Sequence, residues 1–313
     1  MKIKINFPGP LTTVQDEGRM GLMSVGFSSG GAMDADSMRL ANILVGNSEG
    51  EGTLEMTFMG ISAEFDFDAV IAITGADMMP TVNGSPIPMY AAVGVHAGDT
   101  LEMKNAKSGM RSYLAVSGGF DIEKAMGSLS TNLKCGIGGY EGRKLMAGDE
   151  IYCNRSSRLI GERACEAENF GSDRISVRVI LGPQDDYFTD KGIATFLSSE
   201  YTVSDKSDRM GIRLTGDAVE NKNGVDIVSD GIAMGAVQIP ASGEPIIMMA
   251  DRQTTGGYAK IATVIGRDLT LLSQAKPGTR VSFKAVSEKE AVKLLRKQKN
   301  KLSRLKCKLN ATK

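Results

Sequence analysis

Eight consecutive residues, Asp251-Arg252-Gln253-Thr254-Thr255-Gly256-Gly257-Tyr258, bring together a guanidinium, a carboxamide, two hydroxyls, a phenol and the open backbone of two glycines. Apolar runs flank them, Pro245 to Ala250 before and Ile261 to Ile265 after, and both read as buried strands. A turn needs glycine, but it does not need Arg, Gln and two Thr as well. Such a set of donors suits recognition of a carboxylate, a phosphate or an amide. The alternative is a hairpin whose polar residues face water. Two further stretches have the same character: Thr13-Val14-Gln15-Asp16-Glu17-Gly18-Arg19 and Ser207-Asp208-Arg209-Met210. Arg19, Arg209 and Arg252 lie close to Asp16, Asp208 and Asp251. These are either anion-binding guanidiniums steadied by carboxylates or local ion pairs that order a loop. The groups of all three stretches polarise carbonyls and hold anions; they orient substrate rather than attack it.

Several chemistries are absent. No G-x-x-x-x-G-K-[ST] phosphate loop occurs, and no G-x-G-x-x-G follows a strand to open a helix. The four cysteines (Cys135, Cys153, Cys165 and Cys307) are scattered without a C-x-x-C pair, and His96 is the single histidine. A Cys/His metal site is therefore not expected, and the cysteines read as reduced thiols. His96 precedes the Gly98 turn and reads as a strand-end surface residue. The 37 basic residues balance 37 acidic ones, and aromatics are few and unclustered, so neither nucleic acid nor membrane is an expected partner. Nine of the basic residues fall between Ala291 and Lys313, where there is no acid. That segment reads as a basic tail, solvated and frayed beyond Arg296. Met1 to Pro8 lacks the apolar core of a secretion signal. No apolar run approaches the roughly 20 residues that cross a bilayer. A cytoplasmic location is the expectation.

The elements that must position these loops are mostly strands. Lys2 to Phe7 alternates polar and apolar residues. From Gly52 to Gly118 short alternating runs are separated by turn signals such as Asn83-Gly84, as in sandwiches and barrels. The spacing predicts a helix over residues 34–45, capped by Asp34 or Asp36 and ended by Gly46. Strand patterns return at Ile175 to Leu181, Tyr201 to Val203, Ile212 to Leu214 and Val281 to Phe283, with a short helix over Phe188 to Leu197 capped by Thr189 or Asp190. Ser287 starts a last helix, with Glu290 at capping-box spacing. The expected organisation is a mainly β chain. It has an N-terminal β domain over 1–155, a connecting segment over 156–173, a C-terminal β domain over 174–290 and the basic tail over 291–313.

Together the motifs resemble those of the biotin-dependent carboxyltransferase type family, which includes the 5-oxoprolinase C subunit, KipA and allophanate hydrolase subunit 2. The resemblance rests on Thr13 to Arg19, Gly31-Ala32-Met33-Asp34, Thr74-Gly75-Ala76-Asp77, Gly118-Gly119-Phe120-Asp121, Leu181-Gly182-Pro183-Gln184, Ser207 to Gly211 and Gln253 to Tyr258, in that order. It covers residues 1 to about 290. It implies two cyclophilin-like β-barrel domains and two partners, a KipI-like protein of the B type and a protein of the A type. In such a complex a small-molecule amide, 5-oxoproline, is opened to glutamate with ATP hydrolysis. Relatives imply two alternatives: a carboxyltransferase module that uses biotin to carboxylate urea, and a regulator that binds a kinase inhibitor. The expected substrate-binding residues are Gln253, Thr254, Thr255 and Tyr258, followed by Arg209 with Asp208 and by Arg19 with Asp16 and Gln15. No catalytic residue is assigned, and the isolated chain is expected to be inactive.

Overall fold

The computed structural model describes residues 1–156, 161, 163–222 and 224–311. It divides into two compact units: Met1–Arg19, Gly30–Gly171 and Lys301–Lys313 form the first, Met20–Ser29 and Ser172–Asn300 the second. The expected mainly β architecture is present in both.

The first unit holds two sheets. One has six strands in the order Glu150–Tyr152, Lys2–Phe7, Ser62–Phe65, Thr100–Glu102, Thr81–Val82 and Ser85–Pro86. The other has five: Leu11–Gln15, Thr53–Thr57, Ser108–Val116, Ala69–Asp77 and Ala92–Val95. Alternation decides which side chains meet. Ile3, Ile5, Ala63, Phe65 and Leu101 from one sheet join Val14, Leu54, Met56, Ile71, Ile73 and Leu114 from the other in one buried cluster. Residues one step along, Ala72, Tyr113 and Ala115, face the opposite way and form a second cluster with Met38, Ala41 and Leu44.

Those last three side chains belong to helix α1, Ala35–Leu44. Asp34 caps it by accepting from the Ser37 amide (3.1 Å) and the Ser37 hydroxyl (2.6 Å). Gly46, at φ 72°, follows its end in the left-handed region that glycine adopts without strain.

The second unit is a closed seven-stranded barrel. Its strands run in the order Arg174–Leu181, Lys260–Val264, Ala236–Gln238, Ile246–Met248, Gly211–Thr215, Tyr201–Val203 and Arg280–Ala285. The parallel pairing of Arg174–Leu181 with Arg280–Ala285 closes the ring. Closure leaves the barrel with no unpaired edge. Helix α2, Asp190–Ser198, is capped by the Thr189 hydroxyl, which accepts from the Gly192 amide (2.9 Å). It plants Phe196 against Phe283, with the rings stacked at 4.3 Å. Phe188, expected within this helix, is extended and buried instead. A two-stranded ribbon, Asp226–Gly231 with Thr255–Tyr258, stands apart from the barrel hydrogen bonding. A short helix α3, Leu269–Ser273, follows the strand Lys260–Val264.

The last helix, α4, spans Glu288–Ala311, and the Ser287 hydroxyl accepts from the Glu290 amide as the capping pattern requires. Among the described residues the tail is a continuous helix rather than frayed beyond Arg296. From Lys301 onward the helix belongs to the first unit. Leu309 is buried in the α1 cluster with Leu305 packed beside it, Lys306 pairs with Glu49 (2.7 Å), and Lys301 pairs with Glu168 (3.3 Å). Leucines four residues apart fall on one helix face, so a Lys-rich sequence still docks through a narrow apolar stripe.

Candidate functional site

The 251–258 stretch begins at a corner built by ion pairing. Arg209 grips Asp251 with two parallel bonds, Nε to Oδ2 at 2.9 Å and Nη2 to Oδ1 at 3.1 Å. The backbone follows the same path, with the amides of Met249 and Asp251 donating to the carbonyls of Met210 and Arg209 (both 2.9 Å). Arg252 turns inward: Nε donates to the Ile232 carbonyl (2.9 Å), and Nη1 to the Met249 carbonyl (3.3 Å) and the Ser29 hydroxyl (3.4 Å). Burial lowers its pKa from the usual arginine value.

For Asp251 the reading of a local ion pair is corrected, since it pairs with Arg209 and not with Arg252. Asp208 does not pair with Arg209; its Oδ1 accepts the amides of Met210 (2.8 Å) and Gly211 (3.0 Å). Adjacent residues send their side chains in different directions, so the guanidinium finds a carboxylate 42 residues away.

A groove of about 450 Å³ lies beside this corner, with Asp208, Arg213, Gln238, Ser242, Gln253 and Tyr258 among its lining and Ile246 and Met248 as apolar wall. Cross-strand register explains part of the lining. Arg213 is directly opposite Ile246, and Ile246 is directly opposite Gln238. Directly opposed residues share a sheet face, so the three side chains form one row across three strands. Their neighbours Ile212, Leu214, Val237 and Ile247 fill the barrel interior.

The ribbon covers the Gln238 end of the row. Gln238 is buried, and its Nε2 lies 3.5 Å from the Tyr258 carbonyl. A Cβ on Gly256 would come within 2.6 Å of Ile232 Cδ1 and 2.9 Å of Gln238 Nε2, so a larger residue there would push both side-chain ends aside. Beneath the ribbon Lys260 is buried; its Nζ donates to Asp230 (2.9 Å) and its amide to Gln184 Oε1 (3.2 Å). The bond from Lys260 holds the Asp230 carboxyl below the usual carboxylate range.

Of the residues expected from sequence, Gln253, Tyr258 and Asp208 line this groove. Thr254 and Thr255 lie on the ribbon ladder: the Thr254 carbonyl accepts from the Ile232 amide (3.0 Å), and Thr255 is opposite Gly231. Arg209 is a strut beneath the corner. Gln15, Asp16 and Arg19 belong to the first unit and are buried there. Asp16 accepts from the Ser128 hydroxyl and the Leu129 amide (both 2.6 Å) and from the Gly18 amide (2.8 Å). Gln15 accepts from the Ser130 hydroxyl and donates to Thr13 (2.9 Å) and the Thr131 carbonyl (3.2 Å). Arg19 Nε donates to the Ala125 carbonyl (3.1 Å). Together they secure the Ser128 to Thr131 loop.

Sequence reading missed Arg213, Gln238 and Ser242. A signal existed for Gln238, a carboxamide inside the apolar run Ala236 to Ile239, because a polar side chain there must find a partner.

Comparison with known proteins gives this groove its context. A model described as "Carboxyltransferase domain, subdomain A and B" matches residues 25–285. The chain belongs to this carboxyltransferase-domain family. It is 42% identical over 289 residues to the 5-oxoprolinase C subunit of Haemophilus influenzae, covering 91% of each chain. It is 38% identical over 303 residues to the 5-oxoprolinase C subunit of Escherichia coli, covering 97% of each. The crystal structure of the K. lactis urea amidolyase superposes with a TM-score of 0.91 at 29% identity, over 97% of this chain and 20% of that one. The chain thus spans a fifth of the urea amidolyase.

The carboxyltransferase-domain groove holds carboxamides, a hydroxyl, a phenol, one guanidinium and one carboxylate. It offers no ammonium and no carboxylate pair for a magnesium-bound triphosphate, so its side chains do not fit ATP. They do fit a small amide or ureido group, which presents N–H and C=O to carboxamide partners. Among the described residues no group of three His, Cys, Asp or Glu is placed to hold a metal ion. Among them, too, no helix is long and apolar enough to cross a membrane.

Proposed function

We propose that this chain is the C-type component of an ATP-dependent 5-oxoprolinase and acts with an A-type partner and a KipI-like B-type partner. The observation that carries the reading is end-to-end similarity, at about equal length, to proteins named as the C subunit of 5-oxoprolinase. The groove agrees with it. A lactam is locked in the cis amide geometry, so its N–H and C=O lie on one edge. A primary carboxamide presents the complementary donor and acceptor. Gln253 and Gln238 supply two such groups on one groove. Burial of Gln238 strengthens its hydrogen bonding to a bound amide by excluding water.

The reaction adds water across the ring C–N bond of 5-oxoproline and yields glutamate. An unstrained lactam resists opening, and coupling to ATP hydrolysis in the assembled complex supplies the driving force. ATP is assigned to the complex rather than to this groove. The lining residues bind and orient the amide; the attacking group is assigned to the assembly.

The superposition on urea amidolyase favours a second reading, carboxyl transfer from biotin to a urea-like acceptor. Biotin's ureido ring would meet the same two carboxamides. One experiment separates the two readings. The chain is mixed with its A-type and B-type partners and supplied either with 5-oxoproline and ATP or with carboxybiotin and urea. Glutamate formed together with ADP supports the lactamase. Carboxylated urea with no glutamate replaces it with the transferase.

A further inference from the structure

Arg213 stands at the open end of the groove row, across from Gln238. Two strand spacings separate them, about 10 Å. Arg213 is exposed, and its backbone is what ties it to its surroundings: its amide donates to the Ser207 hydroxyl (3.1 Å), and its carbonyl accepts from that hydroxyl (3.3 Å) and from the Ser204 amide (2.9 Å). The guanidinium has no hydrogen-bond or ion-pair partner among the described residues. This sets it apart from Arg209 and Arg252, which are buried and committed to Asp251 and to backbone carbonyls. The acid of the lining, Asp208, is engaged through Oδ1 by two backbone amides. The row therefore carries the Gln238 carboxamide at one end and an uncommitted planar cation at the other.

We infer that Arg213 is a specificity-determining residue that binds the carboxylate of the substrate, so that the groove selects amides bearing a carboxylate a few bonds from the ring nitrogen. The inference rests on the lactamase reading and deepens it. A guanidinium matches a carboxylate with two parallel bonds, and an ammonium does not reproduce that geometry. Anchoring at this end fixes which ring edge faces Gln238 and Gln253. The carboxylate is not consumed in ring opening, so the contact binds ground state and transition state alike and is read in KM rather than in kcat.

The test uses the assembled three-chain complex with Arg213→Gln and Arg213→Lys variants. The ligands are 5-oxoproline and 2-pyrrolidinone, the same lactam without its carboxylate. The expected result is a KM for 5-oxoproline about ten- to a hundredfold higher in Arg213→Gln, the size of one lost charge-assisted contact, with kcat little changed. Inhibition by 2-pyrrolidinone should be the same in wild type and variant, and the KM of Arg213→Lys for 5-oxoproline should lie between those of wild type and Arg213→Gln. Unaltered thermal unfolding would show that the exposed substitution leaves the barrel intact. An undiminished preference for 5-oxoproline in Arg213→Gln overturns the anchor while leaving the lactamase reading in place. A complex that forms but does not open 5-oxoproline overturns both.

Discussion

Arg209 and Asp251, 42 residues apart, are joined by two parallel hydrogen bonds at 2.9 and 3.1 Å, with Arg209 only 6% exposed. The pair ties the turn after the strand Ile246–Met248 to the turn before the strand Gly211–Thr215, and so sets the start of the 253–258 stretch. Arg209→Ala leaves the half-buried Asp251 carboxylate unpaired by this guanidinium and is expected to destabilise the second unit by about 2 kcal/mol. Urea unfolding checks this, and a midpoint equal to wild type would show that the pair contributes nothing to the fold.

Gln253 is exposed at the groove and has no structural partner among the described residues. Gln253→Ala should leave unfolding unchanged and lower kcat/KM of the complex about tenfold, the loss of one substrate hydrogen bond. Thr255→Ala, on the ribbon ladder, should leave kcat/KM nearly unchanged. Equal losses in both would mean that the ribbon acts as a whole and that Gln253 has no individual contact.

The α4 segment from Lys301 is held by Leu305, Leu309 and the Lys306–Glu49 pair. Leu309→Ala should weaken that docking by about 2 kcal/mol. The readout is amide hydrogen exchange over residues 301–309, expected to speed up while the barrel strands keep their protection. Unchanged exchange would contradict the docking.

Arg143 bonds Asp149 through Nη1 to Oδ2 (2.7 Å) and Nη2 to Oδ1 (2.9 Å), and that bonding holds the Asp149 carboxyl below the usual carboxylate pKa. A folded-state pKa below the unfolded one stabilises the fold above the unfolded value of 3.8, and the contribution is lost as pH falls through the lowered folded value. Arg143→Gln should flatten the acid side of the stability–pH curve and shift stability near neutrality to a lower level. A curve of unchanged shape would contradict the pairing.

Local pattern carried much of the fold. Alternation in Lys2–Phe7 buries Ile3 and Ile5 as its period demands, and Asp34, Thr189 and Ser287 cap the helices they precede. The candidate groove was readable only in part. Gln253 and Tyr258 stand out because their stretch holds more donors than a turn requires. Arg213 and Gln238 do not, because they meet only through Ile246, once three strands lie side by side. The pairing of Arg209 was not readable because Asp251 lies 42 residues along the chain. The docking of the tail was hidden because nine cations obscure the spacing of Leu305 and Leu309.

Glutamate formation from 5-oxoproline and ATP, by the A-type and B-type partners with and without this chain, decides whether it is the C-type component. The expected result is one glutamate for each ADP in the complete mixture and none when this chain is omitted. Full activity without it would contradict the assignment.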